Sequence, residues 1–291
     1  MREGVVLRAY SGYYYIQSEQ DIYECKLRGR FKKERFSLFV GDRVTIQVQA
    51  DGTGMIEEIR PRRSLLTRPT VANVDQAVLT FAARNPDINL SLVDRFLVLA
   101  EQADLDIIIC INKFDLANEQ NTQQLMSMYS AVGYRVIGTA AKAGMGIEIL
   151  KDLLKGRTTV FAGPSGAGKS TLLNAIQAGF ALQTGEVSEK IGRGKHTTRF
   201  AQLLALDIGG YVVDTPGFSN IEFTEFRLDN LASCFPEIAA LQGECKFKPC
   251  MHWKEPQCRV KEAAEQGLIA QSRYEHYLQF MAEIKDNKRG Y

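Results

Sequence analysis

The residues best suited to chemistry form the run Gly163-Pro164-Ser165-Gly166-Ala167-Gly168-Lys169-Ser170, which fits the pattern G-x-x-x-x-G-K-[ST] in full. Its glycines let the backbone turn so that N–H groups converge on phosphate oxygens, at the positive end of the helix that follows. Lys169 supplies a point charge for β- and γ-phosphates, and Ser170 a hydroxyl for Mg²⁺. Thr171 completes the candidate phosphate-binding set. The flanks agree with this reading. Apolar Thr158–Ala162 predicts a strand before the loop, and Thr171-Leu172-Leu173-Asn174-Ala175-Ile176 an amphipathic helix after it.

A phosphate loop does not choose the base. Asn112-Lys113-Phe114-Asp115 does, at the end of the apolar stretch Asp106–Ile111. The Asp115 carboxylate can accept hydrogen bonds from guanine N1–H and the N2 amino group. Adenine presents an acceptor there and would leave the carboxylate unpaired, which is the costly kind of mismatch. The stem of Lys113 can pack on the base plane. Asp214-Thr215-Pro216-Gly217 has the form D-x-x-G, with Asp214 suited to the Mg²⁺ shell and the Gly217 N–H to sensing a γ-phosphate. Thr139-Ala140-Ala141-Lys142 resembles the looser motif that backs the base. Thr197 and Thr198 both offer the hydroxyl that closes over Mg²⁺ with GTP bound, and Thr198 is the preferred candidate.

The order of these motifs is rotated. Base recognition comes at 112 and 139, ahead of the phosphate loop at 163, the threonines at 197–198 and D-x-x-G at 214. Because the set is complete, a circular permutation is expected, which termini close in space make tolerable. The γ-phosphate sensor then lies about ten residues from the C-terminal region, so its movement can pull directly on that region.

A second chemistry follows downstream. Cys245, Cys250, His252 and Cys258 form C-x4-C-x-H-x5-C, and three thiolates with one imidazole suit a closed tetrahedral site, hence structural Zn²⁺. Pro249, Trp253 and Pro256 interrupt regular structure between the ligands. Cys25, Cys110 and Cys234 sit singly in apolar or mixed surroundings and read as small buried hydrophobes. His276 reads as a surface or packing residue.

Three regions must position these groups. Residues 1–62 read as about five short strands, among them Gly4–Leu7, Tyr13–Ile16, Ile22–Leu27 and the alternating Asp42–Val48. That density suggests a small all-β barrel of OB type, with an SH3-like barrel as the rival. Residues 63–225 alternate strands and helices, which implies an α/β domain with a parallel sheet covered on both faces. Strands are expected at Ala77–Ala82, Asp106–Ile111, Tyr134–Gly138, Thr158–Ala162, Phe200–Ala205 and Tyr211–Val213. Helices are expected at Leu90–Ala103, Glu119–Val132 and Ile147–Leu154. Gly185–Arg199 lacks apolar periodicity and reads as a long loop. Residues 226–291 read as mostly helical around the metal cluster, with Tyr274, Tyr277, Leu278 and Met281 on one face of a last helix.

The composition is that of an ordinary globular protein, with 45% hydrophobic and 24% charged residues. No run of 18 apolar residues exists, so no membrane span is expected. The start carries no signal-peptide pattern, and cytoplasmic residence is the default expectation. The net charge of +2 implies no polyanion partner by itself. Two clusters, Arg28/Arg30/Lys32/Lys33/Arg35 and Arg60/Arg62/Arg63/Arg68, read either as solvated loops or as a phosphate-backbone footprint.

Taken together, the small N-terminal barrel, permuted nucleotide motifs and C-x4-C-x-H-x5-C module resemble the small-ribosomal-subunit biogenesis GTPases of the RsgA (YjeQ/YloQ) type. The resemblance covers the whole chain. It implies a multi-domain fold, with an OB-type RNA-binding barrel, a circularly permuted P-loop GTPase and a helical zinc-binding domain. It also implies a cytoplasmic bacterial factor that contacts 16S rRNA late in 30S subunit maturation, and whose GTP hydrolysis to GDP the subunit stimulates. A monomer is expected. Phe218 stands where many GTPases carry a water-orienting glutamine, and a phenyl ring cannot do that work. The resemblance moves the catalytic role to His196, in Gly194-Lys195-His196-Thr197-Thr198. Gly166 replaces the asparagine of several potassium-activated GTPases, which argues against strong potassium dependence. Two other classes compete. One is an RNA-binding zinc protein whose GTP site is structural and slow; the other is a small-molecule kinase, against which Asn112–Asp115 argues.

Overall fold

The computed structural model describes residues 1–29, 31, 37–67, 69–180, 201–214, 223 and 226–289. Five strands, β1 (Arg2–Tyr10), β2 (Tyr13–Ser18), β3 (Asp21–Leu27), β4 (Arg43–Val48) and β5 (Gly54–Ile59), close into a barrel in the order β1-β2-β3-β5-β4. β3 runs parallel to β5 and every other pair is antiparallel. That five-stranded closure is the OB arrangement rather than the SH3-like rival. Alternate positions point inward, so Val6, Ile16, Cys25, Val44, Ile46 and Ile56 are fully buried together. A bulge between Val6 and Arg8 then turns Leu7 out of the barrel and into the core of the next domain.

A two-stranded hairpin, β6 (Leu65–Thr67) and β7 (Thr70–Ala72), follows the barrel. The sequence shows only a basic stretch there, because three-residue strands carry too little periodicity to register.

The central sheet has the order β10-β9-β8-β11-β13-β12. Its members are β8 (Gln76–Ala82), β9 (Asp106–Asn112), β10 (Arg135–Gly138), β11 (Thr158–Ala162), β12 (Gln202–Ala205) and β13 (Tyr211–Asp214). All neighbours are parallel except β12 against β13. Strand alternation sends Ala77, Leu79 and Phe81 to one face, beneath α1 (Leu90–Gln102) and α2 (Glu119–Ala131). Val78 faces the other side, with α3 (Ile147–Leu154) and α4 (Lys169–Ile176). Asn89 and Asn118 cap α1 and α2 by accepting backbone N–H bonds from Leu92 and Asn121.

From β8 the chain moves outward through β9 to β10, then returns to lay β11 on the opposite side of β8. The β8/β11 boundary is therefore the switch point of the sheet, where α/β proteins bind ligands at the carboxyl ends of the strands.

The C-terminal region holds α5 (Pro236–Ala239), α6 (Arg259–Glu265) and α7 (Gln271–Arg289). Its core gathers Phe223, Leu231, Phe235, Val260, Tyr277, Phe280 and Ile284 around Val98 of α1, so it folds directly onto the central domain. The expected apolar face of the last helix is present in Tyr274, Tyr277 and Met281, and Phe280 and Ile284 widen it. No helix among the described residues is long and apolar enough to cross a membrane.

Candidate nucleotide site and metal centre

Parallel strands deliver the sequence motifs to one edge. Asn112 ends β9, Thr139 follows β10, Gly163–Gly168 join β11 to α4, and Asp214 ends β13. The loop turns at Gly163, Gly166 and Gly168, whose φ angles of 139°, 76° and 93° favour glycine. A Cβ at Gly163 would strike the Thr80 carbonyl of β8, and one at Gly168 the Asn112 amide. Those glycines thus serve close approach as well as turning.

Asn112 is 2% exposed and joins three segments. Its Nδ2 donates to the Ala167 carbonyl at 2.9 Å, while its Oδ1 accepts from Thr139 Oγ1 at 3.2 Å and from the Ala141 N–H at 3.3 Å. The Phe114 N–H donates to the Thr139 carbonyl at 2.9 Å, and the Phe114 ring fills the space left by Gly138. Asp115 is exposed next to this anchored turn. Lys169 is largely buried, which lowers its ammonium below the ordinary lysine range, and it donates to the Gly163 and Pro164 carbonyls at 2.8 and 2.9 Å. Ser165 is exposed on the loop and Ser170 half-buried at the start of α4. Desolvation raises the Asp214 carboxyl above its ordinary value, although one side stays open to solvent. Gly217, His196, Thr197 and Thr198 lie outside the described residues.

One participant is invisible in the sequence reading. The Lys113 ammonium donates to the Asn85 carbonyl, and Pro86 lies 3.4 Å from where a Gly166 Cβ would stand. The loop after β8 therefore walls the site. An Asn-Pro pair is in itself only a turn signal.

The four candidate metal ligands also converge. Their donor atoms lie within 4.8 Å of one another, with Cys245 Sγ and Cys250 Sγ each 3.8 Å from Cys258 Sγ. His252 Nδ1 is 3.5 Å from Cys245 Sγ and 3.4 Å from Cys258 Sγ. Burial pushes the Cys250 thiol up to about 12 and lowers His252, so clustered thiolates need a cation, whereas the neutral imidazole is ready to ligate. Tyr274 and Tyr277 of α7 donate to the His252 and Met251 carbonyls at 2.7 and 2.9 Å, fixing the ligand loop to the last helix. The lone thiols behave as small hydrophobes: burial pushes Cys25 up to about 11, and Cys110 and Cys234 up to about 12.

The basic clusters are partly spoken for. Arg62 clamps the fully buried Asp42 through Nε and Nη2 at 2.7 and 2.8 Å, and Arg63 meets Asp75 at 2.8 Å. Arg28 pairs with Glu57 and Arg60 with Glu3. These four arginines are engaged within the chain, and three of them, Arg60, Arg62 and Arg63, belong to the second cluster, which weakens its reading as a phosphate footprint; Arg30, Lys32, Lys33, Arg35 and Arg68 lie outside the described residues.

Residues 59–224 match the RsgA GTPase family, and residues 3–56 match the RsgA N-terminal domain. The chain belongs to the RsgA GTPase family. Among RsgA relatives, a protein named small ribosomal subunit biogenesis GTPase RsgA from Clostridium perfringens (strain SM101) is 49% identical over 99% of both chains. One of the same name from Moorella thermoacetica is 48% identical over 99% of both. The crystal structure of YloQ, described as a circularly permuted GTPase, matches at a TM-score of 0.85 and 41% identity, covering 98% of this chain and 96% of that one. YjeQ from Thermotoga maritima matches at 0.86 and 42% identity, covering 97% and 98%. The rotated motif order is thus an architecture this chain shares with a solved relative, and GTP hydrolysis is the activity of the family.

Proposed function

We propose that this chain is a cytoplasmic, monomeric GTPase that acts in maturation of the 30S ribosomal subunit, contacts 16S rRNA, and hydrolyses GTP to GDP faster on the subunit. The relatives' shared name supports the small-subunit partner. The observation that carries the reading is Asn112, whose side chain ties the base-recognition turn to the phosphate loop and sets Asp115 beside it.

In this reading Asp115 accepts from the guanine edge, the Lys113 stem packs on the base, and the Phe114 ring braces the turn against Gly138. The backbone N–H groups of Gly163 and of Ser165–Thr171 would surround the phosphates; Pro164 has none to give. Lys169 leaves two neutral carbonyls for phosphate oxygens, exchanging ordinary hydrogen bonds for charge-assisted ones. Ser170, Thr198 and Asp214 would hold Mg²⁺, which supplies charge neutralisation across the β- and γ-phosphates. Gly217 reads the γ-phosphate, and His196 positions the attacking water, a role consistent with a reaction governed by placement and charge.

Zinc is the metal we assign to the C-terminal cluster. A tetrahedron with thiolate bonds of about 2.3 Å and an imidazole bond of about 2.0 Å sets sulfurs about 3.8 Å apart and nitrogen about 3.5 Å from sulfur. Four of the six ligand-atom pairs here are spaced at 3.8 Å or at 3.4–3.5 Å, and all six lie within 4.8 Å. Four protein ligands leave no open position, so the role is structural. The deciding experiment for the function is GTP hydrolysis with and without purified 30S subunits. Stimulation is expected; equal and negligible turnover in both would defeat the reading.

A further inference from the structure

One buried polar group of the central sheet has no part in the nucleotide and metal chemistry above. Thr80 of β8 is fully buried, and its hydroxyl makes no hydrogen bond. Two other fully buried threonines, Thr139 and Thr159, are both engaged. Thr139 donates to Asn112 Oδ1 at 3.2 Å, and Thr159 accepts from Gln76 Nε2 at 2.9 Å. Leaving a buried hydroxyl unpaired costs stability, so the place where this one stands matters.

Thr80 lies beneath the phosphate loop. Its cross-strand neighbour is Cys110 of β9, and strand alternation puts both on the face that Val78 shares with Leu172 and Leu173 of α4. On the other side of β8 the ladder with β11 runs out. Its last pair is Leu79 with Ala162, and Gly163 begins the loop. The Gly163 backbone presses so closely on Thr80 that a Cβ there would stand 2.0 Å from the Thr80 carbonyl oxygen.

The Gly163 carbonyl is therefore beyond the ladder, beside a hydroxyl that donates to nothing. It accepts the Lys169 ammonium at 2.8 Å. Nucleotide binding draws that ammonium toward phosphate oxygens. The carbonyl then gives up a charged donor, and Thr80, in backbone contact with the same residue, has a donor to offer. A hydroxyl unpaired without nucleotide and paired with it favours the bound form of the loop.

We propose that the Thr80 hydroxyl is the reserve partner of the Gly163 carbonyl, donating to it when Lys169 turns to the phosphates. Thr80 is then a positioning residue: it touches no phosphate and acts through the loop backbone. This rests on the nucleotide-site reading above.

Thr80→Val keeps the branched shape and removes the hydroxyl. In the full-length, metal-loaded protein without nucleotide, its melting midpoint should rise by roughly 2–8 °C, because an unpaired polar group is gone. Fluorescence titration with N-methylanthraniloyl-GDP and Mg²⁺ should show affinity lower by roughly 5- to 150-fold, the span for leaving one buried partner unpaired. KM for basal GTP hydrolysis should rise by the same factor with kcat unchanged, since the bond serves ground and transition states alike. Thr80→Ser keeps the hydroxyl and should restore affinity whatever its midpoint.

A valine variant that binds the labelled GDP as tightly as wild type would overturn the proposal. So would a lowered midpoint in the nucleotide-free valine variant, which would mean that the hydroxyl is already paired there. Serine binding as weakly as valine would do the same, since shape rather than the hydroxyl would then matter. If wild type binds no guanine nucleotide, the reading of the site fails and this inference with it. If wild type binds and valine equals it, only this inference fails.

Discussion

Asp94 on α1 and Arg273 on α7, 179 positions apart, pair at 2.7 Å with both side chains 1% exposed. Arg273 also holds Glu237 through Nε and Nη2 at 2.6 and 2.9 Å. Asp94 is shared with Tyr129, which donates at 2.8 Å, and with the His276 ring. One cation thus links α1 on the central sheet, the short helix α5 and the terminal helix α7. His276, expected to be a surface or packing residue, packs against Phe280 within this network.

Removing the cation alone should be costly. Arg273→Met leaves Asp94 and Glu237 short of their partner, a loss of about 3–5 kcal/mol for a buried pair, and roughly 2–4 °C of melting midpoint per kcal/mol. Asp94→Asn combined with Arg273→Met should be less destabilised than the sum of the single variants, because it removes one uncompensated charge. Thermal denaturation of the four proteins tests this; strict additivity would show that the two side chains are not coupled.

The two basic clusters should separate by phenotype. Arg62→Ala leaves the buried Asp42 carboxylate short of two hydrogen bonds and should cost about 1–3 kcal/mol, with the salt dependence of 30S association unchanged. Neutralising Lys32 and Lys33 should do the reverse, flattening that salt dependence because fewer counterions are released, with stability near wild type. Denaturant melts alongside binding at several salt concentrations distinguish the outcomes. An unaltered slope for the lysine variant would mean a merely solvated loop.

Base choice should depend on Asp115. Asp115→Asn should move preference from guanine toward xanthine nucleotides, since the carboxylate's acceptor pair is replaced by one acceptor and one donor. Competition between GTP and XTP is the measurement. Persistence of the wild-type preference would place the base elsewhere.

Zinc should be present at one ion per chain in freshly purified protein. Cys250→Ser or chelation should unfold the C-terminal region, because the metal would tie the loop to the start of α6, and Tyr274 and Tyr277 of α7 hold that same loop. GTP binding should stay near wild type, as the nucleotide motifs lie on the central sheet. Elemental analysis and nucleotide titration check both halves; metal-free protein with an intact melt would contradict the first.

His196→Ala should leave GTP affinity unchanged and lower 30S-stimulated hydrolysis by about 10- to 1000-fold, the span of positioning and acid–base roles. Single-turnover hydrolysis on saturating subunits measures it. A wild-type rate would remove His196 from the chemistry.

The chemistry was legible in the chain because it is local. Gly163–Ser170, Asn112–Asp115 and Cys245–Cys258 are short motifs whose residue types and spacing point to a chemistry before folding. Barrel and sheet were legible from period-two alternation and from strands separated by helices. Only tertiary structure could decide what depends on separation in sequence. It put Asn85 on the wall of the nucleotide site and made Asn112 the bridge to Ala167. It turned Arg62 from a candidate RNA contact into the partner of Asp42, and joined Asp94 to Arg273 across 179 positions. The physical reason is the same in each case. A charge or amide has no partner written beside it in the sequence, and burial, which makes an unpaired polar group costly, is known only once the elements have packed.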